Sequence, residues 1–151
     1  MIEKLAIAQN LIAQGIEAAL GTLEGDAPFV SATAYLFDRG ENQKLGHFYL
    51  LLSGLARHTK NIQKNPKVSL LIVENKPEVS IQERKRVTVV GEIENVEPEE
   101  EKEWLRESYR KRFPWAEILF SLPDFHFYRV RPLEIHWIGG FGKIQTWTLP
   151  Q

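Results

Sequence analysis

Apolar and polar positions along this 151-residue chain fall into short blocks whose period changes from one to the next. Ile2, Leu5, Ala6, Leu11 and Ile12 recur at helical spacing, which predicts a helix over 2–14 stopped at Gly15. From Ile16 the pattern turns strand-like. Segments 16–23 and 28–37 flank Glu24-Gly25-Asp26, a hairpin-type turn. A polar loop over 38–46 leads to a third strand, 47–52, and a short helix over 54–64 closed by Asn65-Pro66. Segment 67–73 is a fourth strand. Its Val68, Leu70, Leu71, Ile72 and Val73 are nearly continuous, the pattern of a strand covered on both sides. After a polar loop over 75–85, segment 86–96 is a fifth strand with Val87, Val89, Gly91 and Ile93 on one face. A helix is predicted over 98–113. Pro98 opens it, Glu99, Glu100 and Glu101 fill its first turn, and Arg110, Lys111 and Arg112 fill its last, complementing the helix dipole. Leu105, Tyr109 and Phe113 form its buried face, and Pro114 ends it. A helical turn over 115–121, a sixth strand over 125–138 and a possible seventh over 144–149 complete the chain.

Six or seven strands that do not alternate with helices argue against a doubly wound sheet. The fold class expected is mainly β with α (α+β), an antiparallel β-barrel with helices packed outside. The length is that of one domain, 1–151. The chain has no cysteine, which excludes disulfides, thiolate metal sites and a cysteine nucleophile. Lys and Arg number 19 against 20 Asp and Glu, a net charge of −1 that argues against a dedicated nucleic-acid binder. No apolar run approaches a membrane span, and the N-terminus does not read as a signal peptide. A cytoplasmic protein is expected, with neither nucleic acid nor membrane as partner.

The distribution of charge is less even than its sum. No acidic residue lies between Glu41 and Glu74, while the same span holds Lys44, Arg57, Lys60, Lys64 and Lys67 with His47 and His58. Ser53 ends a strand and is a candidate N-cap. On a helical wheel Leu55 and Ile62 fall on one side, and Arg57, Lys60, Asn61 and Lys64 on the other. A strand end, a serine, a helix N-terminus and an arginine together suit a phosphate group, since free N–H groups and a guanidinium both donate to it. The alternative is a solvated helix face. A second feature is the aromatic strand Arg131-Pro132-Leu133-Glu134-Ile135-His136-Trp137-Ile138, which runs into Gly139-Gly140-Phe141-Gly142. These glycines either let a backbone approach a planar ligand or close a bulged hairpin. They lack the spacing of a dinucleotide fingerprint. The four histidines show no metal-ligand spacing, and no serine sits on a nucleophile elbow. Chemistry here would be borrowed from a cofactor.

The stretch from Ser53 to Ile62, followed by Asn65-Pro66-Lys67-Val68-Ser69-Leu70-Leu71-Ile72, resembles the FMN-binding split-barrel proteins, relatives of pyridoxamine 5'-phosphate oxidase. Together with the segment from Arg131 to Gly142 it is most similar to their haem-utilisation branch. The likeness runs from about Ile16 to Phe141. It implies a homodimer of split barrels with FMN in two interface clefts, and a small-molecule electron donor or acceptor. By position it implies that Arg57 and His58 hold the phosphate, flanked by Leu52, Ser53 and Lys60. Ser31, Ala32 and Thr33 would run along the flavin. Arg86 stands where the oxidases carry a glutamine near the ring, and Phe141 would approach the cleft from the partner chain.

Two departures shape the functional expectation. The oxidases bind their substrate through an Arg-His-Asp-Arg-like C-terminal segment, whereas here the last arginine is Arg131. A true pyridoxamine 5'-phosphate oxidase is therefore not expected. Haem-degrading relatives take an iron-ligating histidine from a C-terminal region, and here no histidine follows His136. The expectation is an FMN-binding flavoprotein, an oxidoreductase of unknown substrate. The alternatives are a haem-binding or haem-utilisation protein, or a non-catalytic flavin binder on the same barrel.

Overall fold

A computed structural model of the chain describes residues 2–39, 45–100 and 103–149, with side chains from Leu5 onward. The elements are α1 (Ile2–Gln14), β1 (Glu17–Glu24), β2 (Ala27–Ala34), β3 (Leu36–Asp38), β4 (His47–Ser53), α2 (Arg57–Lys64), β5 (Lys67–Val73), β6 (Arg86–Asn95), α3 (Glu103–Arg112), a 3₁₀ segment Pro114–Ser121, β7 (Phe125–Ile138) and β8 (Ile144–Thr148). The strands form one antiparallel sheet in the order β2-β1-β5-β6-β7-β4-β3, with β8 added on β7. The sheet curls into a half-barrel. Its pivot is the 14-residue β7, whose first half pairs with β4 and second half with β8 while β6 runs along its other edge. Pro132 in β7 lies opposite Gly91, where the β6–β7 register shifts in a bulge.

The barrel expected from the sequence is present, with several boundaries moved. The strand expected over 28–37 is two strands, because Tyr35 turns its side chain inward and breaks the ladder. Its hydroxyl donates to the Ile12 carbonyl at 2.6 Å, capping the end of α1. The helix expected from 54 begins at Arg57, and Leu55 is 75% exposed rather than aligned with Ile62. The Glu99–Glu100 region is a turn ahead of α3; Glu101 of the expected acidic first turn lies outside the described residues, as do Lys44 and part of the loop 38–46. The basic end of α3 does not serve its own dipole alone. Arg112 donates to the carbonyls of Ala13, Gln14 and Gly15 at 3.1–3.4 Å, and Arg110 pairs with Glu117.

Two cores result. Leu20, Phe48, Leu50, Leu70, Ile72, Val87, Val89 and Ile135 fill the barrel interior. Tyr49, Leu51, Leu105, Tyr109, Phe113 and Phe127 pack outside it, between β4, β7 and α3. Of β4 and β5, the strand covered on both sides within the chain is therefore β4, not β5 as its apolar run suggested. On β5 the inner face is buried and Leu71 is 40% exposed. Register places Leu71 on an outward row with Ala32, Ala19 and Thr88, beside a second outward row. Val30, Gly21, Ser69 and Val90 follow one another across β2, β1, β5 and β6 without a charge. Val30 is 65% and Val90 39% exposed.

Gly15 provides a test of this packing. A Cβ there would stand 2.1 Å from the Tyr35 hydroxyl and 3.2 Å from Ile72 Cγ2. Gly15→Ala is expected to cost about 1–3 kcal/mol by overpacking. Adding Tyr35→Phe should recover part of that loss, read as a positive coupling in a urea-denaturation double-mutant cycle.

Candidate functional site

The junction between β4 and α2 is pinned by a residue the sequence gave no reason to single out. Asp124 Oδ2 accepts the Ser53 hydroxyl at 2.6 Å, and the Asp124 carbonyl accepts the Gly54 N–H at 2.6 Å. Ser53 Oγ in turn accepts the Leu55 N–H at 3.1 Å. The serine therefore caps the turn ahead of the helix and not the helix itself. Ala56 holds the N-cap position without a side-chain bond. Leu52 is buried beside this junction, opposite His126 on β7.

The exposed face of α2 carries Arg57, Lys60 and Lys64. Asn61, expected among them, turns inward instead. Its amide donates to Thr22 Oγ1 at 3.0 Å and ties α2 to β1. Arg57 reaches across to the β1–β2 hairpin. Its Nε and Nη2 donate to Glu24 at 2.6 and 3.1 Å, and its guanidinium carbon lies 4.4 Å from the centre of the Phe29 ring. Between Glu24-Gly25 and the helix face is a cleft of about 280 Å³ lined by Arg57, Lys60, Asn61 and Lys64. The bond from Arg57, with smaller contributions from Lys64 and Asn61, holds the Glu24 carboxyl below the usual carboxylate range. The same bond raises the guanidinium. Burial lowers the His58 imidazole by disfavouring its charged form.

Strand β2 extends away from this cleft. Phe29, Ser31 and Thr33 alternate onto one face, opposite Thr22, Leu20 and Ala18 of β1, and Ala32 points to the other. At the far end Ala32, Thr33 and Ala34 meet Ile16, Phe113 and Trp115 around a second cavity of about 310 Å³. The distance from Phe29 to Thr33 is about 13 Å at strand rise.

Arg57, Lys60 and the β2 residues thus lie along one line, with His58 on the same helix as the cations. Arg86 and Phe141 are elsewhere. Arg86 opens β6, three strands from β2, and pairs with Ile138 just before the glycine corner. There Gly140 and Gly142 take φ of 109° and 70°, and Gly139 and Lys143 close a tight hairpin. Phe141 stands at its tip, 70% exposed. Within one chain this second group does not meet the first.

Five buried side-chain polar atoms among the described residues have no partner in the chain: Ser31 Oγ, His58 Nε2, Thr59 Oγ1, Arg86 Nε and Trp147 Nε1. Three of them belong to residues nominated from the sequence. A phosphate fits the first cleft by size and by the chemistry of its donors, and the unpartnered Ser31 and His58 atoms belong to neighbouring elements of the same region. No group of three metal-ligating side chains occurs among the described residues, and no helix there is long and apolar enough to cross a membrane. The residues that sequence reading missed are Glu24, Phe29 and Asp124. Each acts through a contact more than 25 positions away, apparent only once the chain is folded.

This architecture recurs in proteins of known structure. A haem-binding protein from Mycobacterium smegmatis superimposes with a TM-score of 0.84 at 25% identity, over 95% of this chain and 57% of that one. A Clostridium acetobutylicum protein of the pyridoxine phosphate oxidase family, related to general stress protein 26, gives a TM-score of 0.71 at 20% identity, over 98% and 96% of the two chains. In sequence, the haem oxygenase HutZ of Vibrio cholerae is 31% identical over 100 residues, 64% of this chain. The match spans only about half of HutZ, 56% of its length. The resemblance to the split barrels and to their haem-utilisation branch is thereby borne out. The family model of the CREG β-barrel matches residues 2–149, so the chain belongs to the CREG β-barrel family, a split barrel of the pyridoxamine 5'-phosphate oxidase type.

Proposed function

We propose that the protein is a homodimeric FMN-binding flavoprotein, an oxidoreductase acting on a small-molecule electron donor or acceptor. The observation that carries this reading is the set of buried polar atoms left without partners on Ser31, His58 and Arg86. An unpaired buried polar group costs about 1–3 kcal/mol, so such atoms call for a partner from outside the chain. Arg57 and Lys60 would hold the phosphate, with the His58 ring edge beside them and Leu52 and Ser53 forming the floor of the junction. Ser31, Ala32 and Thr33 would run along the flavin, as far from the phosphate as the strand extends. Bound FMN would supply hydride or single-electron transfer at its ring.

The second copy is supported by the uncharged row Val30, Gly21, Ser69 and Val90, which leaves apolar surface facing outward on four strands. Docking this face on itself would cover β5 on its second side. It would also offer Arg86 and Phe141, remote from Arg57 within one chain, to a cleft between chains.

Haem binding is the second reading, favoured by the two relatives whose names carry haem. One experiment separates the two. The purified protein is incubated with FMN or with haemin, passed through gel filtration with light scattering, and its visible spectrum recorded. Retained flavin absorption at dimer mass is expected, with bleaching when NADH or NADPH is added under nitrogen. A retained Soret band without retained flavin overturns the FMN reading. Retained flavin that no reductant bleaches leaves a binding protein and removes the oxidoreductase.

A further inference from the structure

We propose that Glu24 is a built-in competitor for the anion site, a carboxylate that a ligand's phosphate must displace from Arg57 and that thereby selects which anions the cleft admits. The proposal rests on the reading of this cleft as a phosphate site. Arg57 presents Nε and Nη2 to the two Glu24 oxygens at 2.6 and 3.1 Å. These are the paired donors that two phosphate oxygens would take. Local structure positions both partners of the pair. Glu24 is the last residue of β1, paired with Ala27 across a two-residue turn that Gly25 makes possible at φ 65°. The guanidinium is stacked 4.4 Å from the centre of the Phe29 ring.

Charge explains the selection. Glu24 is the sole acid among the described residues lining the cleft, against Arg57, Lys60 and Lys64. A monoanion that replaces Glu24 at Arg57 exchanges one negative charge for another and gains little. A phosphate monoester brings close to two charges and engages the lysines as well. A ligand without an anion gains nothing from Arg57. The cleft should therefore favour phosphorylated over carboxylated or neutral ligands, and Glu24 sets the threshold.

The test compares wild type, Glu24→Gln and the double variant Glu24→Gln/Arg57→Ala. FMN and riboflavin are titrated by fluorescence, and inorganic phosphate by calorimetry. Glu24→Gln keeps the side chain's shape and is expected to bind FMN and phosphate about three- to tenfold more tightly, since an exposed ion pair and one like-charge repulsion are removed. Riboflavin affinity should not change, and the gain should vanish in the double variant. Equal or weaker FMN and phosphate binding by Glu24→Gln, with FMN held by wild type, overturns the competitor and leaves the flavin reading standing. An equal gain for riboflavin also overturns it. A gain for phosphate with no FMN bound by either protein keeps the competitor and removes the flavin. Failure of both anions to bind either protein removes both.

Discussion

Arg57→Ala is expected to weaken FMN binding about ten- to a hundredfold, the loss of a charge-assisted paired contact. Two features of the cleft place the effect toward the upper end. The alanine removes both donors of the fork at once. It also strands the Glu24 carboxylate, now without its 2.6 Å partner, beside the incoming phosphate. Arg57→Lys should fall between wild type and alanine, because a lysine keeps the charge and loses the paired geometry. Riboflavin, without a phosphate, should bind wild type and Arg57→Ala alike. Titration by flavin fluorescence reads all three, and an unchanged FMN affinity in Arg57→Ala would remove this residue from the site. The fold should be untouched, since the Arg57 side chain is mostly exposed and its pair with Glu24 lies at the surface.

The largest effect on stability is expected at Phe127. This residue is fully buried in the second core, with ring centroids 5.3 Å from Tyr109 and 6.0 Å from Phe120. Phe127→Ala removes the ring on which α3 and the 3₁₀ segment close against β7, at a cost of about 3–5 kcal/mol. That is a large share of the roughly 5–15 kcal/mol that holds a domain of ordinary size together. The barrel interior does not depend on this ring, so the loss should begin locally. Amide exchange in Glu103–Ser121 should rise before that of β5 and β6. A midpoint within about 1 kcal/mol of wild type in urea denaturation, with unaltered exchange in that segment, would show that the outer core carries little of the stability.

Much of the fold was legible along the chain because strands and helices advertise themselves by period. Val87, Val89, Gly91 and Ile93 alternate and are indeed the inner face of β6. Leu105, Tyr109 and Phe113 repeat every fourth residue and are the buried face of α3 and its end. Where reading failed, a side chain answered to something distant. Tyr35 sits inside an unbroken strand-like run, yet its hydroxyl goes to Ile12 and splits the strand. Asn61 belongs by wheel position with the cations, yet its amide is needed at Thr22. Two similar apolar runs, β4 and β5, differ in what covers them. Only β4 receives α3, and no local pattern records which strand a later helix will choose.

The candidate site divides along the same boundary. Its cationic residues and its helix lie within the twelve consecutive residues from Ser53 to Lys64, part of the stretch to Ile72 that carries the family resemblance, and local chemistry was enough to nominate them. The partner that neutralises Arg57 lies 33 positions earlier, and the anchor of Ser53 lies 71 positions later. An acid-free segment therefore faces an acid after all. Sequence order specifies which charges are neighbours along the chain, because periodicity and capping act over a few residues. Only the folded chain specifies which charges are neighbours in space, because it sets α2 against β1 and the start of β7 against β4 from far apart, and electrostatic attraction acts over distance in space, not over separation along the chain.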